Sequence, residues 1–288
     1  MIQLNNVEFG YDKNRKLFNG VTWHLEPGHL YGLLGCNGAG KTTLLKIMTG
    51  LLFPQNGEAL LGGQPSCNRT AEQLKDIYFL QEEIHVPHLK IKQFEESFAP
   101  FYPNFNHEQF AEFLREFEMD NMLGFIDKFS HGQKKKVMLA FSLATNVPLL
   151  IMDEPTNGLD IPSKSTFRKI MASYANEQKT VIISTHQVRD LHSLIDAVSI
   201  LDNGRMILSA STDVITDKLF FGIKDEQLPE AKVFYSEETP KGLNQVKENP
   251  DHKESSLDLE MLFNAAVENE GLDLFYYLLV AIICKEMD

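Results

Sequence analysis

Residues 35–42 read Gly-Cys-Asn-Gly-Ala-Gly-Lys-Thr and match the pattern GxxxxGK[ST]. The apolar run LYGLL (residues 30–34) precedes them, and TTLLKIMTGLL (residues 42–52), which has helical spacing, follows them. A strand, a glycine-rich loop and a helix in this order are typical of a phosphate-binding loop. The stretch therefore predicts an α/β fold built around a P-loop.

The residue types of this loop suit a triphosphate. Glycines let backbone N–H groups approach a phosphate without a Cβ in the way, and a helix N-terminus adds partial positive charge. We expect Lys41 to reach the β- and γ-phosphates, Thr42 to ligate Mg²⁺ and Thr43 to bond the α-phosphate. The predicted nucleotide contacts in the loop are Gly35, Asn37, Gly38, Ala39, Gly40, Lys41, Thr42 and Thr43.

A second motif places two carboxylates at the end of an apolar strand. Leu149–Met152 is followed by Asp153 and Glu154. Ligands bind at the carboxyl ends of strands in α/β sheets, so we expect Asp153 to hold Mg²⁺ and Glu154 to polarise the attacking water. The two motifs together predict a nucleoside triphosphatase. No NKxD-type sequence, which would read guanine, is found.

Composition excludes several other classes of protein. Of the 288 residues 40 are acidic and 27 basic, for a net charge of −13, which argues against non-specific binding to nucleic acid. Most of the net negative charge lies after residue 204. Three widely spaced cysteines exclude a disulfide framework and a zinc cluster. The first residues do not resemble a signal peptide, and the longest apolar run, Leu274–Cys284, is too short to span a bilayer.

The region between the two motifs predicts an inserted helical subdomain over about residues 84–130. Aromatic residues concentrate there, and an amphipathic stripe predicts a helix that Asn106 caps, with Gln109 as its reciprocal partner. The stripe consists of Phe110, Phe113, Leu114 and Phe117. Strand patterns resume at residues 148–154, 180–185, 197–202 and 204–210. In the tail we expect a strand over 231–237 and a helix over 257–267, with its start at Ser255 and Ser256.

Further motifs in this order resemble the ATP-binding subunit of ABC transporters. Gln81 is similar to the glutamine that senses Mg²⁺ and water, and Ser130–Gln133 to the signature motif. Gly158–Asp160 resembles the loop that crosses the dimer interface. His186 resembles the switch histidine, and Tyr11 the aromatic residue that stacks on adenine. The resemblance covers about residues 2–225.

The resemblance implies a RecA-like P-loop core with an antiparallel β subdomain and a helical insertion, plus a small C-terminal extension over 226–288. It assigns catalysis to Glu154, His186 and Gln81. It adds five residues to the nucleotide contacts: Tyr11, Ser130, Gly132, Gln133 and Asp160. The residues that it implies for Mg²⁺ are Thr42, Gln81 and Asp153.

The resemblance also implies partners and location. Two ATPase subunits, identical or different, would form a head-to-tail dimer in which Ser130 and Gly132 close over the γ-phosphate at Lys41 of the other chain. The dimer would dock on a separate transmembrane permease at the cytoplasmic face of the cell membrane, without nucleic acid. EPTNGLD (residues 154–160) and the aromatic insertion resemble a bacterial branch that exports drugs, antibiotic peptides and sodium.

Two departures from the family pattern carry expectations of their own. His131 stands where the signature motif usually has glycine, so a ring must be accommodated near the γ-phosphate of the opposite subunit. Lys134, Lys135 and Lys136 follow the motif, and we expect a solvated helix face, with extra positive charge near the triphosphate as the alternative.

The sequence leaves two other functions open. One is a soluble single-domain ABC ATPase serving cofactor assembly or another role outside transport. Repair ATPases are excluded because residues 42–130 hold no sustained heptads. The other is a regulatory module that binds nucleotide without hydrolysis, which the presence of both Glu154 and His186 argues against.

Overall fold

The computed structural model describes residues 2–12, 15–120, 123–174, 176, 178–187, 194–223, 231–240 and 242–268. The strands are β1 (Ile2–Phe9), β2 (Phe18–Leu25), β3 (Leu30–Leu34), β4 (Asn56–Leu61), β5 (Gln64–Pro65), β6 (Ile77–Leu80), β7 (Leu149–Asp153), β8 (Thr180–Thr185), β9 (Ala197–Asp202), β10 (Arg205–Ser211), β11 (Leu219–Ile223), β12 (Val233–Thr239) and β13 (Gly242–Glu248). The α-helices are α1 (Lys41–Met48), α2 (Ala71–Leu74), α3 (Ile91–Phe98), α4 (His107–Glu116), α5 (His131–Ala144), α6 (Ile161–Tyr174), α7 (Thr212–Lys218) and α8 (Leu259–Glu268).

The central sheet carries the phosphate loop. Its strand order is β10-β9-β3-β8-β7-β6, and β10 is the antiparallel edge strand of an otherwise parallel sheet. Strands β3, β7 and β8 are buried along their whole length, as expected of parallel strands covered on both faces. The loop leaves the carboxyl end of β3, which pairs with β8, and β8 pairs with β7. The candidate site therefore lies at the edge of the sheet where α/β proteins bind ligands.

A smaller antiparallel sheet packs on one side of the loop. Its order is β2-β1-β4-β5, and the buried residues of β1 and β2 share a hydrophobic core with α1. Trp23 is fully within this core, and its indole N–H donates to Ser199 on β9. The antiparallel β subdomain predicted above is thereby confirmed, and it fixes α1 against the central sheet.

A helical insertion covers the other face. Phe110, Phe113 and Leu114 of α4 pack in one core with α5, and the ring of Phe141 contacts that of Phe110 at 5.7 Å. Asn106 caps α4 as predicted, since its Oδ1 accepts from the Gln109 backbone N–H. The prediction that Gln109 acts as the reciprocal partner in this cap is wrong. The amide oxygen of Gln109 instead accepts from Asn146, which ties α4 to the end of α5.

The C-terminal extension forms a three-stranded antiparallel sheet in the order β11-β13-β12, with α8 beside it. The predicted strand near residues 231–237 and the final helix are confirmed, whereas β13 was not predicted. Helix α8 is capped by Asp258, not by the two serines; Ser255 Oγ accepts from the Phe221 backbone N–H. Strand β11 begins at Leu219, before the predicted division at residue 225. The apolar run Leu274–Cys284 lies outside the described residues.

Among the residues described above, none of the helices combines the length and the apolar composition that crossing a bilayer requires.

Candidate nucleotide-binding site

The phosphate loop takes the shape that its glycines predict. Gly38 and Gly40 have φ of 83° and 104°, and a Cβ on Gly40 would lie 2.7 Å from the Phe18 ring. Glycine is the residue that tolerates both conditions at once. Lys41 opens α1, and its buried ammonium donates to the carbonyls of Gly35 at 2.7 Å and Cys36 at 3.3 Å.

A cleft of about 810 Å³ opens in front of this loop. Burial lowers the pKa of Lys41, and the carboxylates of Glu154 and Asp153 oppose that shift. The residues that line the cleft come from the loop, from the ends of β6 and β7, and from both sides of the opening: Tyr11, Asp12, Arg15, Lys16, Leu17, Cys36, Asn37, Gly38, Ala39, Gly40, Lys41, Thr42, Thr43, Glu82, Asp153, Glu154, Asp202, Asn203 and Gly204.

Asp153 and Thr42 meet at the floor of the cleft. The Asp153 carboxylate is fully buried, Thr42 Oγ1 donates to its Oδ2 at 2.6 Å, and Ser184 Oγ donates to its Oδ1. A hydroxyl and a carboxylate oxygen are the ligand types that Mg²⁺ prefers, and Mg²⁺ usually takes few protein ligands because phosphate and water supply the rest. The pair therefore fits a magnesium ion that arrives with a triphosphate.

Glu154 is held by the loop that follows β8. It has φ of +46°, which is costly for a residue with a side chain, and only 4 % of it is exposed. Its Oε1 accepts from the His186 backbone N–H at 3.0 Å and lies 2.7 Å from His186 Nδ1. Lys41 Nζ lies 3.9 Å from the same oxygen. The fold therefore brings the predicted base, the switch histidine and the loop lysine together.

Tyr11 stands at the rim of the cleft. Its ring is 68 % exposed and meets Phe9 edge to face at 5.1 Å, and its hydroxyl lies 2.9 Å from Thr43 Oγ1. An exposed ring at the mouth of a triphosphate cleft can stack on a base. The adenine contact of Tyr11 stays a prediction.

Seven of the predicted residues do not line the cleft: Gly35, Gln81, Ser130, Gly132, Gln133, Asp160 and His186. Gly35 and His186 lie directly behind the lining, since the Gly35 carbonyl accepts from Lys41 and His186 contacts Glu154. Strand β6 ends at Leu80, and Gln81 is exposed in the connection that follows, while its neighbour Glu82 lines the cleft. Ser130, Gly132, Gln133 and Asp160 lie at the starts of α5 and α6. Ser130 and Gln133 form a capping box on α5, and Asp160 Oδ1 accepts from the Ser163 backbone N–H on α6.

His131 is accommodated within its own chain. A Cβ on Gly158, which has φ of +79°, would lie 2.7 Å from His131 Cδ2. The imidazole therefore fills the space that the missing side chain of Gly158 leaves. The prediction was that the ring must be accommodated near the γ-phosphate of the opposite subunit. The structure shows that the ring is accommodated beside Gly158 of its own chain.

The lysines after the signature motif do not form one solvated face. Lys136 Nζ lies 3.4 Å from Asp160 Oδ2, and Lys134 is half-buried. Lys135 is fully buried, and among the described residues its Nζ has no hydrogen-bond partner. Burial lowers the pKa of Lys135 to about 8, against the opposing effect of Glu82, Asp153 and Glu154. The expected solvated face is wrong at Lys135 because α5 turns that position toward the core.

The motifs alone did not identify a chain of polar side chains beside the site. Asn157 Nδ2 donates to Glu82 Oε1 at 3.0 Å, and Gln187 Nε2 donates to Asn157 Oδ1 at 3.3 Å. The three residues connect the ends of β6, β7 and β8. Each lies next to a recognised motif residue, which is the signal in the sequence that could have found them.

Alkylation of Cys36 is expected to abolish most ATP hydrolysis, and bound ATP is expected to protect. Cys36 is exposed and lines the cleft next to a helix N-terminus, so an added maleimide would occupy the space of the triphosphate. The measurement is residual ATPase activity after N-ethylmaleimide with and without ATP. Cys36→Ala should keep its activity and resist the reagent; equal inhibition of this variant would assign the effect to another thiol, such as exposed Cys67.

Comparison with known proteins identifies one family. The sequence model of the family described as "ABC transporter" matches residues 18–157. The lantibiotic transport ATP-binding protein SrtF of Streptococcus pyogenes is 31% identical over 229 residues, which cover 74% of this chain and 92% of that protein. The ABC transporter ATP-binding protein NatA of Bacillus subtilis is 31% identical over 216 residues, 72% of this chain and 88% of NatA.

A solved structure described as the ATP-binding subunit of an ABC transporter superposes on the chain with a TM-score of 0.67 at 26% identity. The match covers 75% of this chain and 91% of that one. It agrees with the α/β P-loop fold, the antiparallel β subdomain and the helical insertion described above. The chain therefore belongs to the ABC transporter family, as one of its ATP-binding proteins.

Proposed function

We propose that the chain hydrolyses ATP to drive export through a membrane-spanning subunit on a separate chain. The observation that carries the hydrolytic part is that Lys41 and His186 both lie against the Glu154 carboxylate, at the edge of the cleft. Transport is supported by the lantibiotic transport protein SrtF. Export is supported by a Nod factor export ATP-binding protein of Burkholderia thailandensis, 30% identical over 214 residues.

The residues of the cleft divide the work of hydrolysis between them. Lys41 and the loop N–H groups bind the β- and γ-phosphates, for which the Lys41 ammonium must exchange its carbonyl partners for phosphate oxygens. Thr42 and Asp153 hold Mg²⁺, which when bound neutralises phosphate charge. Glu154 orients the attacking water and takes its proton, and His186 holds the Glu154 carboxylate in place. Tyr11 stacks on the base at the rim.

The second half of each site comes from another subunit. Ser130, Gly132, Gln133 and Asp160 do not line the cleft of their own chain, and they lie together at the starts of α5 and α6. In a head-to-tail dimer they face the nucleotide of the partner. Bound ATP then holds the two subunits together, and its hydrolysis lets them separate. The dimer therefore has a closed and an open state, and ATP favours the closed one.

The helical insertion and Gln81 pass this motion to the membrane subunit. Gln81 follows β6 directly, and the Glu82–Asn157–Gln187 chain connects that segment to the loops after β7 and β8. A change at the γ-phosphate can therefore reach the surface of the insertion. The subunit acts at the cytoplasmic face of the cell membrane, held there by its partner.

Affinity purification from native cells tests this proposal. The tagged chain is solubilised from membranes in mild detergent, and the proteins that copurify are identified by mass spectrometry. A multi-span membrane protein in near-equal amount supports the exporter. Recovery of soluble partners alone contradicts it and favours an ABC ATPase that works outside transport. Untagged cells, processed in parallel, serve as the control for non-specific recovery.

A further inference from the structure

Lys135 is a buried cation whose chemistry the scheme above does not use. Its side chain is 0 % exposed, and its Nζ has no hydrogen-bond partner among the described residues. Taking an ammonium out of water without hydrogen bonds is costly, and a residue of similar volume such as methionine would avoid that cost. A feature that lowers stability at a site is a candidate for a role in activity.

The charges around Lys135 belong to the candidate site. Helix α5 packs against β6, where the rings of Phe141 and Tyr78 lie 5.9 Å apart. Glu82 follows β6, Asp153 ends β7 and Glu154 follows it, and these three carboxylates oppose the lowering of the Lys135 pKa by burial. Each acid already has a neutral partner: Asn157 for Glu82, Thr42 for Asp153 and the His186 backbone for Glu154. Lys135 therefore completes no hydrogen bond. What it supplies is a buried positive charge on the helix that packs against the strand leading to these acids.

Lys135 also sits on the helix that starts at the signature motif. Helix α5 runs unbroken from His131 to Ala144, and Ser130 caps it. Lys135 lies little more than one turn after Ser130, so the two move as one body. A displacement of Ser130 by nucleotide in the partner subunit would move the ammonium relative to the acids of its own cleft.

We propose that Lys135 is a positioning residue for hydrolysis, which couples Ser130 to the carboxylates of Glu82, Asp153 and Glu154 through its buried charge. The proposal rests on the proposed function, because it needs the nucleotide cleft and the dimer. It adds a residue that does not line the cleft. Its effect should appear in the turnover number and not in the affinity for ATP.

Three variants of the full-length chain test this: Lys135→Met, Lys135→Arg and, as the matched control on the same helix, Lys134→Met. Lys135→Met is expected to raise the melting temperature, because it removes a buried charge, and to lower kcat ~10-fold or more, with the Kd for a fluorescent ATP analogue within about 2-fold. Lys135→Arg restores the charge and should recover much of the lost turnover. Lys134→Met should match the wild type in all three measurements.

Other outcomes overturn the proposal. Unchanged kcat in Lys135→Met would show that the charge has no part in hydrolysis. If melting temperature and kcat both fall in Lys135→Met, Lys135 is a structural residue. If Lys135→Arg is as inactive as Lys135→Met, the charge is not what matters. If the wild type itself does not hydrolyse ATP, the proposed function fails and this proposal fails with it; in the other cases only the role of Lys135 is lost.

Discussion

Glu154→Gln is expected to bind ATP as the wild type does and to lower kcat at least ~100-fold. Glutamine keeps the size of the side chain and can still accept from the His186 backbone N–H, so the site should keep its shape. It cannot take a proton from water. The decisive comparison is kcat from steady-state phosphate release beside Kd from a fluorescent nucleotide.

The same variant should accumulate as an ATP-bound dimer, because the step that separates the subunits is blocked. Light scattering after gel filtration, with and without ATP, reports this directly. Near-normal turnover in Glu154→Gln would remove Glu154 from its role as base. Loss of nucleotide binding would instead mean that Glu154 shapes the cleft.

Lys41→Met is expected to weaken nucleotide binding at least ~30-fold, as the loss of charge-assisted hydrogen bonds to phosphate predicts. The fold should survive, since burial already disfavours the charge of Lys41 and its hydrogen bonds go to loop carbonyls, beside an ion-pair contact with Glu154 Oε1. Kd is the quantity to measure, with a thermal melt to confirm folding.

Lys46→Met, in the last turn of the same helix and outside the cleft, is the matched control for Lys41→Met. It should bind ATP like the wild type. Unchanged affinity in the Lys41 variant would place the triphosphate elsewhere. The pair of predictions separates binding from hydrolysis, because Lys41→Met should lose both and Glu154→Gln only the second.

The sequence predicted well those features that depend on local pattern. The runs at residues 30–34 and 180–185 are strands in the structure with the same bounds, because continuous apolar segments of that length suit a parallel sheet. The loop at residues 35–42 was equally clear, since its glycines and lysine are required at fixed positions. The family resemblance then supplied the order of the remaining motifs.

Features that depend on tertiary packing were missed. Strand β13 was not predicted because Gln245 and Lys247 are polar and yet buried, so its pattern looks like a loop. Burial of Lys135 could not be read from three consecutive lysines, because it depends on which side of α5 faces the sheet. Similarly, Gln109 serves Asn146 and not its own helix, a contact across 37 positions of sequence.

The candidate site likewise contains residues that the sequence identified and one that it did not. The sequence identified Asp153, Glu154 and His186, which the fold brings together from β7 and β8. It did not identify Glu82, which lines the cleft where Gln81 was expected to act. The one-residue difference arises in the connection after β6, whose path no periodic pattern determines.

ATP hydrolysis by the complex recovered from membranes tests the central claim most directly. The wild-type chain and Glu154→Gln are purified side by side in detergent, and their phosphate release is compared at equal amounts of the membrane subunit. We predict the same membrane subunit in both preparations, with hydrolysis in the first and at most about one hundredth of it in the second. Equal hydrolysis in both, or no membrane subunit in either, would contradict the assignment of this chain as the ATP-hydrolysing subunit of an exporter.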